Sequence, residues 1–139
     1  MRLIIVLFEM WVSILLQVII HEFGHFVMGK LTGYKFVSFR VFNILFIKEN
    51  NKLKIKPFSL AGTGGQCLLE PPDDFNNTKY ILYNLGGGLF NFLSSLFALL
   101  LSPIILINAF VLKSETLFVL LFAFLFWFIV LGISLALAN

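Results

Sequence analysis

The sequence predicts an integral membrane α-helical protein with about three transmembrane helices and a cytoplasmic β-hairpin, or β-rich insertion, after the first. Three observations carry this. Of the 139 residues, 60% are hydrophobic and only 12% charged, whereas soluble domains average about 45–50% apolar and about 25% charged. The mean hydropathy is +0.99. Eight of the ten Lys and Arg residues fall between Lys30 and Lys79, in one short segment flanked by apolar ones. A short cationic loop between membrane spans stays in the cytoplasm under the positive-inside rule. The same placement argues against nucleic acid as a partner, since no extended basic face is left for it. The lipid bilayer is the partner that the composition demands.

The first apolar segment runs from Leu3 to about Met28, long enough for a helix that needs roughly 20 residues to span the hydrocarbon core. Arg2 before an apolar run resembles the start of a signal peptide. However, the run passes into His21-Glu22-Phe23-Gly24-His25 without a small-residue cleavage site, so a retained helix is expected. Lys30 and Gly33 mark its end, since both types suit helix C-termini. Ser13, Gln17 and His21 follow at four-residue steps, a polar stripe that has to face protein or a water-filled cavity. Glu9 lies one step further out and reads as interfacial.

From Tyr34 to Ser59 the pattern changes to alternation. Ile44–Lys48 and Leu53–Lys56 flank Glu49-Asn50-Asn51-Lys52, a hairpin signal because Asn tolerates positive φ in tight turns. Lys52, Lys54 and Lys56 put charge on one face of the second strand. Ser59 to Asn77, rich in Gly, Pro, Asp and Asn, reads as loop, with Thr78 as cap of the next helix. Asp73 and Asp74 read as a solvated acidic turn. Between Lys79 and Lys113 no residue is charged. A membrane helix is expected from Thr78 to Leu101, broken at Ser102-Pro103, with Ile104–Leu112 at the outer interface or starting a re-entrant turn. Gly86-Gly87-Gly88 suits either close helix packing or a substrate-facing role. Thr116–Asn139 is the third membrane helix. The length suits one domain: a single membrane core over 1–139, with a motif helix over 1–29, a cytoplasmic β-rich loop over 34–77, a second membrane helix plus interfacial segment over 78–112, and a third membrane helix over 116–139. The N-terminus is expected outside and loop 30–79 inside, in a bacterial plasma membrane.

The chemistry concentrates at residues 21–25. His21 and His25, the only two histidines, are four apart and project from one helix face. Two imidazoles so spaced can share a zinc ion, with Glu22 beside them as general base on a zinc-bound water. Nine residues from His21 to Lys30 amount to roughly 13 Å of helix, which puts the motif inside the membrane. Ionisable groups at that depth are costly and by default functional. A catalytic zinc site usually has three protein ligands, and no acid lies within the later helices. Cys67 is the only cysteine, which excludes an intramolecular disulfide and a multi-cysteine zinc site; it reads as a small, semi-buried residue.

At this point the sequence resembles the site-2 protease family of intramembrane zinc metalloproteases. Ile19-Ile20-His21-Glu22-Phe23-Gly24-His25 looks like that family's first motif. The order of elements is similar too, a β-rich segment and then a second helix carrying Gly87-Gly88-Leu89-Phe90-Asn91 where the family has a Gly-Pro-x-x-Asn-like motif. Gly88 stands where Pro is common. The resemblance implies that Asn91 positions substrate near the metal. It also implies that Gly64-Gly65 lies by an edge strand that binds extended substrate through backbone hydrogen bonds. It further implies an aspartate ligand from a later Asn-x-x-Pro…Asp-Gly stretch. These 139 residues hold no such stretch, and Asn139 stands where its first residue would come; of a fragment and a natural variant lacking the third ligand, a fragment is expected, with that ligand beyond Asn139. The implied activity is that of a zinc metalloendopeptidase cleaving membrane-anchored proteins or peptides. The competing reading is an inactive homologue or scaffold that binds clients through the β-rich loop. A metal transporter would want more ligands on the other helices.

Overall fold

The computed structural model describes residues 2–50, 52–58, 64–73 and 79–139. Helix α1 spans Arg2–Leu31, α2 Tyr80–Val111 and α3 Glu115–Ala138, and all three are long and apolar enough to cross a membrane. Between α1 and α2 lie β1 (Lys35–Val41), β2 (Ile44–Glu49), β3 (Lys52–Pro57) and β4 (Gly65–Glu70). They form one antiparallel sheet in the order β3-β2-β1-β4.

The three helices pack against one another, and α1 also lies against β1 and β4. The interior is the reverse of a soluble core. Leu3, Phe8, Leu100 and Phe110 are 61–76% exposed, while Ser13, Gln17, Asn91 and Ser95 are 0–1% exposed. Lipid tails are as apolar as Leu, so burying Leu between helices gains little. Small residues that admit close backbones, and polar groups that bond across helices, take the inside. The Gln17 amide accordingly donates to the Phe128 carbonyl of α3 at 3.0 Å. The polar stripe thus faces protein.

Helix α1 ends as its sequence suggests. Gly33 takes φ 88°, and the Tyr34 N–H closes back on the Gly29 carbonyl at 2.9 Å, a glycine-terminated helix end. Ser114 caps α3 by accepting from the Leu117 N–H at 3.3 Å. The expected break in α2 does not occur: the helix runs through Pro103 to Val111. Proline removes the N–H that would serve the carbonyl four residues back, here that of Leu99. The Ser102 hydroxyl donates to that same carbonyl at 2.8 Å, so the gap is filled and Ile104–Val111 continues as helix. Thr78 lies outside the described residues, as do Asp74 and 59–63. The position preceding α2 is Lys79, with no side-chain cap.

The predicted β2–β3 hairpin is present, with Asn50 at φ 51° in its turn. Its charged face is organised by Glu49, which accepts from Lys54 at 2.9 Å and from Lys56. Those two ammonium groups, Lys56 first, hold the Glu49 carboxyl down at about 2. A carboxyl depressed in the folded state stabilises above its ordinary value near 4.5 and loses that contribution as pH falls through about 2. Amide exchange of β2 and β3 is therefore expected to quicken between about pH 5 and pH 2, less so in high salt because the pair is exposed. Exchange independent of pH over that window, after correction for intrinsic rates, would contradict it.

One strand was hidden in composition. Residues 65–70, expected as loop, form β4 and pair with β1 from Lys35↔Glu70 to Val41↔Gly65, with a bulge between Phe36 and Ser38. Asp73 stays exposed, 3.6 Å from the Lys35 ammonium, a solvated acidic turn.

Candidate functional site

Helix α1 presents His21, Glu22 and His25 where α2 and β4 converge on it. The His21 and His25 Nε2 atoms are 3.2 Å apart. His25 Nδ1 lies 2.9 Å from the Tyr83 carbonyl oxygen. A carbonyl only accepts, so His25 carries its proton on Nδ1 and turns a bare Nε2 toward His21. The His21 Nδ1 is buried without a hydrogen-bond partner.

Glycines make this convergence possible. A Cβ on Gly87 would lie 2.6 Å from Nε2 of both histidines and from His21 Cε1, so the missing side chain is what leaves room at the nitrogens. A Cβ on Gly65 would lie 2.5 Å from Glu22 Cγ and 2.8 Å from its Oε1. Edge strand β4 therefore crosses directly over the Glu22 carboxylate, which also faces the Cys67 N–H and the Arg40 guanidinium. Gly86 meets Gly24 backbone to backbone, and Gly88 meets Ala136 and Asn139 of the α3 end. Each of the three consecutive glycines thus serves a different neighbour.

Val18, His21, Glu22, Gly64, Gly65 and Leu135 line a cleft of about 190 Å³. Five of the six predicted site residues meet here or beside it: His21, Glu22, Gly64 and Gly65 in the wall, and His25 against His21. Asn91 does not line the cleft. It is fully buried beside His21, its amide donating to the Gln17 carbonyl at 3.3 Å and its Oδ1 unpartnered. Cys67 is buried on β4, and burial, followed by the Glu22 charge, pushes its thiol up to about 12. It stays protonated at neutral pH, a poor ligand or nucleophile.

Two residues at the site escaped sequence reasoning. Arg40 is 1% exposed on β1, donates to the Phe42 carbonyl at 3.0 Å and lies over the Phe58 ring. The lysine-rich surroundings disguised it as one more loop cation. Tyr83 bonds His25 through its carbonyl and the Cys67 carbonyl through its hydroxyl at 2.9 Å. A signal for it existed. Tyr83, Gly87, Asn91 and Ser95 repeat at four-residue steps on α2, as Ser13, Gln17, His21 and His25 do on α1.

The donor set fits zinc as far as it goes. Two nitrogens each about 2.0–2.1 Å from one tetrahedral ion lie roughly 3.3 Å apart, close to the 3.2 Å observed between the two Nε2 atoms. The Nδ1–H bond of His25 to a backbone carbonyl is the usual outer support of a metal-ligating imidazole. Among the described residues no group of three or more His, Cys, Asp or Glu gathers around one point.

No curated protein and no solved structure matches the chain. A family model does: Peptidase family M50, over residues 9–108. The match begins at Glu9 on α1, takes in the sheet and reaches Asn108 near the end of α2, so both helices that build the histidine site lie within it. The chain belongs to peptidase family M50, the site-2 protease family.

Proposed function

We propose that this protein is a zinc-dependent intramembrane endopeptidase acting on membrane-anchored proteins or peptides. The observation that carries the reading is the histidine pair: two Nε2 atoms at 3.2 Å, one of them bared by the bond from His25 Nδ1–H to Tyr83. His21 and His25 would hold the metal, and a third donor comes from outside the described residues. A zinc ion bound there supplies Lewis acidity and brings the pKa of water toward neutrality.

The protein's own groups do the rest. Glu22 takes the proton of the attacking water and hands it to the leaving amine nitrogen. Substrate lies extended along β4, the sheet edge over Glu22, gaining main-chain hydrogen bonds by strand addition at Gly64-Gly65. Gly65 itself puts no side chain between that edge and the carboxylate. Buried as it is, Asn91 is assigned the placing of His21 from α2, and its effect on substrate runs through that ring. The sheet is proposed to lie on the cytoplasmic side of a bacterial plasma membrane, with the N-terminus outside.

The test is zinc content together with cleavage of a membrane-anchored peptide by the purified chain, set against His25→Ala. Loss of both in the variant is the expected result. Equal zinc content in the two would defeat the assignment of the ligands. The set of only two donors among the described residues favours a second reading, a homologue that captures clients on β4 without cleaving them. That reading predicts peptide binding that is indifferent to zinc.

A further inference from the structure

Tyr83 sits in the first turns of α2 and touches both halves of the site. Its carbonyl accepts from His25 Nδ1 at 2.9 Å, and its hydroxyl donates to the Cys67 carbonyl of β4 at 2.9 Å. Its ring is held between two others, stacked on buried Tyr34 at 4.9 Å and 23°, and tilted against His25 at 5.5 Å. A Cβ on Gly29 would come within 3.1 Å of the same ring, so α1 closes over it as well. A side chain so confined has little freedom, and its hydroxyl and the residue's main-chain carbonyl are both committed.

We propose that Tyr83 is a positioning residue that locks edge strand β4 to the histidine pair, setting the height of a bound substrate strand relative to Glu22. The inference rests on the proposed use of β4 as the substrate strand. The bond adds a hold from α2 to the contacts that α1 makes with β4. β4 is paired on one side only, with β1, and its Gly64-Gly65 end has no side chain to grip α1. The hydroxyl bond to Cys67 falls two residues from Gly65. The carbonyl bond to His25 belongs to the same residue. Strand height and imidazole orientation are therefore referred to a single point on α2. The two bonds use different parts of Tyr83, which makes them separable: removing the hydroxyl frees the strand and leaves the backbone carbonyl in place for His25.

The experiment is Tyr83→Phe in the full chain, purified in micelles. Amide exchange of β4 is expected to quicken about three- to tenfold, the scale of one neutral hydrogen bond, with α1, α2 and the β2–β3 hairpin unchanged. The side-chain nitrogen resonances of His25 should keep the Nδ1–H tautomer. In cleavage of a membrane-anchored peptide, kcat should fall by about the same factor while KM stays within about twofold, the pattern of a substrate still bound but held less well against Glu22. Unchanged β4 exchange overturns the proposal, and so does acceleration spread equally over all elements. A wild-type chain that neither binds nor cleaves the peptide would refute the endopeptidase reading. The exchange data, which need no substrate, would still decide whether Tyr83 holds the strand.

Discussion

Glu22→Gln is expected to lower cleavage of a membrane-anchored peptide by about 10²–10⁴-fold, the usual scale of a lost general acid–base, while zinc content stays at the wild-type level. The two halves of this expectation have separate causes. Gln has the shape of Glu, so it fits the tight space under β4, where Gly65 leaves no room for anything larger. It can still accept from the Cys67 N–H that Glu22 faces. It cannot take up a proton and pass it on. The proposed metal donors are the imidazoles of His21 and His25, whose facing nitrogens and Tyr83 bond do not involve residue 22. Cleavage within about twofold of wild type in a correctly folded Glu22→Gln chain would remove Glu22 from the mechanism. Cleavage and zinc lost together would mean that Glu22 holds the metal or the fold.

How much of this was legible in the sequence follows from the range of the interactions involved. The 21–25 motif is local, since four residues on a helix fix two rings on one face without reference to anything distant. The β2–β3 hairpin is local too, announced by alternating lysines and Asn50. Strand β4 is not. Gly65-Gln66-Cys67-Leu68-Leu69-Glu70 follows glycines and precedes Pro71-Pro72, and it becomes a strand through pairing with β1, whose Lys35 is the partner of Glu70. Its role over Glu22 was therefore available only from the family resemblance. The continuity of α2 through Pro103 turned on one serine hydroxyl, which propensity rules do not weigh. Asn91 was foreseen at the site and is beside His21, yet its burial in the three-helix interior could not be read from spacing. Polar residues buried between membrane helices look, in sequence, like polar residues facing a channel.

The crossing of α1 and α2 should be the least tolerant point in the protein. Gly24→Ala is expected to lower zinc affinity about 10–100-fold, the range seen when the outer support of metal ligands is disturbed, and to abolish measurable cleavage. An added Cβ would stand 2.2 Å from the Gly86 carbonyl oxygen and 2.8 Å from Phe90 Cβ, and the reciprocal Cβ on Gly86 would stand 2.5 Å from the Gly24 oxygen. Both main obstacles are backbone, so no side chain can swing away and the helices have to part. Helix propensity works the other way, favouring Ala over Gly by about 1 kcal/mol. Overpacking costs about 1–3 kcal/mol and sometimes more, and against backbone that cannot yield it outweighs the propensity gain. The functional loss is large because of what flanks the crossing. His25 to the Tyr83 carbonyl lies on one side, Asn91 to the Gln17 carbonyl on the other, and Gly87 faces the two nitrogens between them. A separation of even several tenths of an ångström stretches both bonds at once. Leu85→Ala, on the exposed face of the same turn of α2, should leave zinc affinity unchanged and so control for the helix itself. Wild-type zinc affinity in Gly24→Ala, measured by titration, would show that the histidine pair is held from α1 alone and that α2 contributes nothing to it.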